Sequence, residues 1–252
     1  MGSSSSFAGT ALSLPSSSTW AEVIDRCENA LNDAGNAEFT TAEIAEWLND
    51  FVRDYSQYFP LIKTQNITAV ASTHVYNLNA DFMGVLAVEY PTSQDPPEYL
   101  SRLVHTHPDF WTGTKWYDIV HRNNDTDPDE IWISHTPDGG EGMDVMYNGQ
   151  HAIISDTSSI SGNTTVQMQH QHLAVKFVQW QATLQLMFTE QVTPTSSSSL
   201  LMAQLSQNAR RMEAGYHTAI RQALYAADGI SRPARWISGS QYSRQDTLAR
   251  IY

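Results

Sequence analysis

The sequence predicts an α+β protein: a helical bundle of about four helices with a β-rich insertion and extended N- and C-terminal arms. Three observations support this fold class. Apolar residues recur at helical spacing near both ends of the chain, they alternate with polar residues in the middle, and Pro and Gly turn signals divide that middle region. The interpretation is therefore a helical frame interrupted by strands.

Two capping boxes open the N-terminal helices, which we predict at 19–33 and 40–58. In Thr19-x-x-Glu22 and Thr40-x-x-Glu43, a hydroxyl and a carboxylate can each bond a free amide of the first turn. The second helix has a wide apolar stripe and ends before Pro60. Its stripe consists of Ile44, Trp47, Leu48, Phe51, Val52 and Tyr55.

Between residues 64 and 166 the period changes to alternation, which predicts a β-rich insertion. Asn148-Gly149 predicts a hairpin, because both residues tolerate a positive φ. The candidate strands are Asn66–Ser72, His74–Leu78, Val85–Tyr90, Trp116–His121, Glu130–His135, Met143–Tyr147 and Ala152–Ser155.

Helical spacing returns at 169–190 and at 199–227, where Gly229 is expected to end the last helix. The N-terminal and C-terminal helices are expected to form one helical domain that encloses the insertion. The predicted organisation is a flexible Ser-rich arm at 1–18, a helical domain at 19–63 and 167–228, the insertion at 64–166, and a C-terminal docking arm at 229–252.

Charge is distributed unevenly along the chain. The net charge is −13, and only 16% of residues are charged. Residues 1–204 hold 7 Lys and Arg against 24 Asp and Glu, whereas residues 205–252 hold 7 Arg against 3 acids. An acidic body argues against a protein that binds nucleic acid by neutralising phosphates. The basic end indicates either docking on an acidic partner or ordinary solvation of a helix and a loose end.

The single cysteine, Cys27, excludes an intrachain disulfide, and its place in an apolar stripe predicts a core residue. No apolar run approaches the roughly 18 residues that a membrane span needs. The N-terminus lacks the basic and apolar regions of a signal peptide, so we expect the protein to be intracellular when it is made.

No catalytic, cofactor-binding or metal-binding constellation emerges from the motifs. His105, His107, Asp109 and His121 lie close in sequence, but Pro108 interrupts them and no second ligand pair follows. His170 and His172 likewise lack further ligands. The acidic run at 125–129 opens like a calcium loop, yet Glu130 and Thr136 occupy the positions that need Gly and Glu. The expectation is no enzyme activity, no cofactor and no metal.

Aromatic residues leave a second possibility open. Trp111, Trp116, Tyr117 and Trp132 could line a groove for a sugar or nucleotide, but core packing and subunit contact are the favoured interpretation of these rings.

The order of elements resembles the adaptor proteins in the neck of tailed bacteriophages. The resemblance covers roughly residues 20–190, and in one segment Asn79 stands where proline is usual. It rests on segments 42–56, 75–82 leading into 85–90, 130–134 and 143–147, and on the helix from His172.

That resemblance implies a virion structural protein, a head-to-tail connector in the neck between capsid and tail. Such proteins form a homo-oligomeric ring, usually a dodecamer, that docks on the portal and attaches the tail, nozzle or terminator proteins. DNA passes through the lumen without sequence-specific binding, and no membrane is involved. The alternatives are another phage tail or neck component, or a carbohydrate-binding module or hydrolase that uses residues 98–147.

The C-terminal arm is the predicted partner-binding element. Its arginines could pair bidentately with carboxylates, and its isolated aromatics could fill pockets on a partner such as the portal. These candidate residues are Arg232, Arg235, Trp236, Tyr242, Arg244, Arg250 and Tyr252.

Overall fold

A computed structural model describes residues 18–33, 35–92, 94–113, 115–122, 127–155, 157–192 and 198–231. Within these residues the chain forms four α-helices and two small β-sheets. The predicted α+β class is therefore confirmed. Of the predicted arms, residues 1–17 and 232–252 lie outside the described residues.

The first two helices begin where the capping boxes predict. Helix α1 spans Trp20–Leu31 and α2 spans Thr41–Tyr58, and both Thr19 and Thr40 make the complete reciprocal box. Helix α1 ends at Asn32, whose left-handed φ of 59° is tolerated by asparagine. The stripe predicted for α2 is its buried face, with Trp47 half-buried, and Cys27 is fully buried, which confirms it as a core residue.

Seven strands follow in two sheets. They are β1 Leu61–Thr68, β2 Val75–Asn77, β3 Phe82–Glu89, β4 Ser101–Arg102, β5 Trp116–Val120, β6 Glu130–Ile133 and β7 Gly142–Gly149. One sheet has the order β1-β7-β3, and the other has the order β2-β6-β5-β4, with a parallel pair only between β4 and β5. Both sheets contribute to one apolar core that contains Val88, Ile131 and Val145.

The predicted hairpin at Asn148-Gly149 is wrong. Both residues lie inside β7, which is the central strand of its sheet and pairs with β1 and β3 along its length. The predicted strand Ala152–Ser155 is also wrong, since this segment has no strand pairing. The turn before β7 instead uses Gly139 and Gly140, with φ values of 97° and 82° that favour glycine.

The predicted strand at 66–72 also needs correction. Strand β1 starts earlier, at Leu61, and ends at Thr68, before a turn in which Ser72 has a φ of 60°. Apolar–polar alternation identified this strand. The alternation continues by chance into the turn residues, so the predicted strand extended beyond Thr68. Pairing with β7 fixes the true limits.

By contacts, the chain divides into two compact units, Met1–Ala182 and Thr183–Tyr252. Helix α3, Gln171–Val192, begins in the first unit and ends in the second, and α4 spans Ser198–Ser231. In the second unit the Thr183 hydroxyl donates to the Met212 sulfur at 3.1 Å. The predicted end of α4 at Gly229 is wrong, because the helix continues to Ser231. The division into four domains stays a prediction.

Candidate assembly surfaces

Polar side chains fix the segment after β7 against α2. Asn49 bonds the backbone of Ile154 twice, donating to its carbonyl at 2.9 Å and accepting from its N–H at 2.7 Å. The buried Ser56 hydroxyl accepts from the His151 N–H at 3.0 Å, and His151 Nε2 lies 2.7 Å from the Phe59 carbonyl. These bonds replace the strand pairing that this segment lacks.

A second contact joins α2 to the start of α3. The Tyr55 hydroxyl lies 2.7 Å from His170 Nδ1, and both side chains are buried. Burial raises the pKa of Tyr55 and lowers the pKa of His170, to which the neighbouring His172 also contributes. Both groups are therefore neutral near pH 7. The arrangement is a structural link rather than an acid–base pair.

The sheet β1-β7-β3 is packed on one face, and its exposed positions carry apolar side chains among polar ones. Met146, on the central strand, pairs with Thr64, and Ile62 lies two residues from Thr64 on the same face. Met83 and Leu86 lie at the two bulges of β3 and are also exposed. We call Ile62, Met83, Leu86 and Met146 the outer apolar patch. Exposed apolar side chains grouped on one sheet can form a contact surface.

The second unit has an apolar surface of its own. Phe188 and Val192 near the end of α3, and Leu200 near the start of α4, are 60%, 79% and 67% exposed. We call these three residues the helical tip. Residues 177–209 contain only one charged side chain, Glu190. Depletion of charge around exposed apolar residues is typical of the centre of a protein interface.

The helices of the first unit present an acidic surface. Residues 20–58 hold nine Asp and Glu against two Arg. One of these acids has a structural role: Asp33 accepts the N–H groups of Ala37, Glu38 and Phe39 after α1 ends. The bond from Phe39 is the main reason that the pKa of Asp33 is lowered.

A basic groove of about 510 Å³ interrupts this acidic surface. It lies between α1, which contributes Arg26, and the start of α3, which contributes His172 and Lys176. Arg26 donates to the Gln171 side-chain oxygen at 2.6 Å. The other residues that line the basic groove are Met168, Gln169, Gln171, Val175 and Gln179.

The histidines considered as metal ligands are engaged separately with carboxylates. His105 Nδ1 lies 2.7 Å from Asp118, whereas His121 Nδ1 lies 2.7 Å from Asp129. His107 lies 3.8 Å from Asp109. Throughout the described part of the chain, no group of three or more His, Cys, Asp or Glu side chains could hold a metal ion.

Asp118 holds the loop before β5 in place. Burial alone would raise the pKa of this carboxyl, but hydrogen bonds from the His105 backbone and ring and from the Ile119 N–H outweigh burial, so the pKa is lowered. The result is a fixed charge at a loop–strand junction. No hydroxyl or thiol nucleophile is bonded to the His105–Asp118 pair among the described residues.

The aromatic residues proposed for a sugar groove are only partly brought together. Trp111 lies 6.3 Å from Trp132 between ring centroids, and Trp132 packs against His105 at 4.6 Å. Tyr117 is instead buried in the apolar core. Most of these rings therefore pack against one another or inside the protein, as the packing interpretation predicts.

Sequence reasoning missed both the groove and the outer apolar patch. Arg26 and Lys176 are about 150 residues apart, so no local motif could join them. A signal for the patch does exist in β3, because Met83 and Leu86 are apolar residues on a strand whose other apolar residues fill the core. The predicted binding residues of the C-terminal arm, 232–252, lie outside the described residues.

Among the described residues, the features that stand out are exposed apolar side chains and an acidic helical surface on an α+β fold. The model of the family described as SU10 adaptor protein matches residues 18–237, and the chain belongs to that family of phage adaptor proteins. It is therefore a bacteriophage structural protein of the virion neck. A search of curated proteins found no match. No described helix is both long and apolar enough to cross a membrane.

Proposed function

We propose that the protein forms a homo-oligomeric ring of twelve copies that docks on the portal and provides the attachment surface for the tail. DNA passes through the lumen of this ring, and each copy is made in the host cytoplasm. The observation that carries the proposal is the family match over residues 18–237, which covers all of the described residues. The adaptor acts by contact alone, without catalysis.

The exposed apolar surfaces support this role. A ring subunit must contact its neighbours, and an adaptor must contact a further component at each end of the ring. The outer apolar patch and the helical tip give the chain two separate surfaces whose burial would be favourable, at roughly 25 cal/mol per Å² of apolar area. Val192 of the helical tip and Ile62 of the outer apolar patch are the most exposed members of these two surfaces, at 79% and 71%.

The charge distribution is consistent with passage of DNA. An acidic surface repels phosphates, and the 24 acids of residues 1–204 exceed the 7 Lys and Arg by more than three to one. A lumen of this character would let DNA slide without binding. Such a lumen needs no base-specific contacts.

We assign docking on the portal to the C-terminal arm that follows Ser231. Its arginines Arg232, Arg235, Arg244 and Arg250 can each form a bidentate pair with a carboxylate. Its aromatic residues can act as anchors that fill pockets on the portal. These aromatics are Trp236, Tyr242 and Tyr252.

The experiment compares the full chain with a chain truncated after Ser231, because α4 ends at that residue. Each protein is added to portal-bearing, DNA-filled heads that lack the adaptor, and bound copies are counted by cryo-electron microscopy. We expect twelve copies for the full chain and loss of attachment for the truncated chain, with both chains equally helical by circular dichroism. Equal attachment would remove the arm as the docking element.

A full chain that stays monomeric and never attaches to heads would refute the adaptor role itself. Glycan-array binding by such a monomer would favour the carbohydrate-binding alternative. A variant with Trp111→Ala and Trp132→Ala is the matched test of that alternative, since these are the two tryptophans of the proposed groove that lie together.

A further inference from the structure

Most of the Lys and Arg side chains in the first unit are paired with carboxylates. Between residues 18 and 182 there are seven Lys and Arg side chains. Five of them lie within 3.9 Å of a carboxylate of the same chain: Arg53, Lys63, Arg102, Lys115 and Arg122. In this described part of the chain, only Arg26 and Lys176 have no such carboxylate, and both line the basic groove.

The groove is held in shape by buried polar contacts. The Gln171 side chain is only 2% exposed; its oxygen accepts from Arg26 at 2.6 Å and its amide donates to the Ser18 hydroxyl. The Gln179 amide donates to the Ala30 carbonyl at 3.1 Å, which ties α3 to α1 on the other side of the groove. Arg26 is thus oriented by a fixed partner while its remaining donors stay available.

We propose that the basic groove binds carboxylate side chains of a second copy of this chain, and so forms a charged contact between neighbouring subunits. The inference rests on the proposed ring, since it names one of the contacts between its subunits. Arg26 and Lys176 supply the charge, and the start of α3 adds a partial positive charge at the same place.

A second copy is the favoured occupant because each copy carries both halves of the contact. The chain has an excess of 13 negative charges, and its exposed carboxylates greatly outnumber its free cations. A groove on one copy that receives acids from a different surface of the next copy is a head-to-tail contact, and such a contact repeated about a rotation axis closes a ring. Two ion pairs per contact also fix the register between neighbours.

Nucleic acid is a poor occupant by the same reasoning. Duplex DNA carries one charge per roughly 1.7 Å, so its approach would bring many phosphates near the acids that flank Arg26 on α1. Those acids are Glu22, Asp25 and Glu28. A single carboxylate side chain brings one negative charge into the groove instead of a row of phosphates, so it meets much less of that repulsion.

The test reverses the two charges in the full chain, as Arg26→Glu with Lys176→Glu. The matched control, Arg210→Glu with Arg211→Glu, changes the net charge equally at two exposed arginines of α4. Association between copies is measured by sedimentation velocity and by the number of copies bound to adaptor-free heads. We expect the groove variant to associate at least about tenfold more weakly, and the control and the conservative Arg26→Lys with Lys176→Arg variant to associate normally.

Equal weakening by the control would show a general charge effect and overturn the proposal. Normal association of the groove variant would overturn it as well, while leaving the ring itself intact. Failure of the unsubstituted protein to associate at all would instead refute the proposed function. Circular dichroism and thermal unfolding check that each variant is folded.

Zero-length carbodiimide crosslinking gives an independent readout that needs no substitution. Assemblies are built from an equal mixture of unlabelled and ¹⁵N-labelled chains, and peptides that contain Lys176 are analysed by mass spectrometry. An amide between Lys176 and a carboxylate of a chain with the other label supports the proposal. Links only to portal acids, only within one chain, or none, would overturn it.

Discussion

Replacing Asn49 by alanine should destabilise the protein by an amount that follows from two hydrogen bonds. Asn49 is the residue that holds the Ile154 backbone, at 2.9 and 2.7 Å. Each such bond contributes about 1 kcal/mol net, so the free energy of unfolding should fall by about 2 kcal/mol. For a chain of this size the melting temperature should fall by about 4–8 °C.

Two further variants make this prediction specific. Asn49→Asp keeps the acceptor for the Ile154 N–H but sets a second oxygen against the Ile154 carbonyl, so it should cost at least about 1 kcal/mol. Asn66→Ala removes an exposed side-chain bond to Asp144 and should change the free energy of unfolding by no more than about 0.5 kcal/mol. Urea denaturation followed by tryptophan fluorescence measures all three. If Asn49→Ala is no more destabilising than Asn66→Ala, the segment is held in place by other contacts.

Three other outcomes are expected. Cys27 should react with a thiol reagent only in denaturant, because it is buried and its pKa is raised to about 12; labelling of the native protein at the denatured rate would contradict this. Burial lowers the pKa of His151 and of His170 below the ordinary value of 6.5, so the unfolded state binds more protons than the folded state as the pH falls below 6.5. Urea unfolding midpoints should therefore be highest above that pH and decrease below it. A midpoint that does not change with pH would count against neutral buried histidines. Leu86→Asp with Met146→Asp should weaken association while changing the free energy of unfolding little, since both side chains are more than 40% exposed; unchanged sedimentation would argue against a contact role for the outer apolar patch.

The helices could be predicted from the sequence because their signals are local. A capping box and an apolar stripe lie within one segment of chain, so Thr40 and Glu43 identify the start of α2 without knowledge of anything else. The helix ends were less predictable. Gly229 favours termination, yet α4 continues to Ser231, because one glycine costs only about 1 kcal/mol in a helix.

The strands depend on pairing with segments that are distant in the sequence, and there the local sequence pattern gave wrong predictions. Asn148-Gly149 has the composition of a hairpin turn, but tertiary pairing with β1 and β3 keeps both residues extended. The basic groove was unpredictable for a related reason. Arg26 lies in a helix that looks acidic, and its isolation from carboxylates becomes visible only when the ion pairs of the other cations are known.

The central position of β7 has a consequence for synthesis of the chain. Strands β1 and β3 do not pair with each other, and both require a strand that the ribosome makes much later. At about 5–20 residues per second, the nascent chain exposes unpaired strand edges for several seconds before residue 149 emerges. Each subunit can complete its sheet only after that delay. Productive assembly therefore depends on how well nascent chains are kept apart during translation. Slower translation of residues 90–141 would lengthen this vulnerable interval and should increase aggregation of the newly made chains.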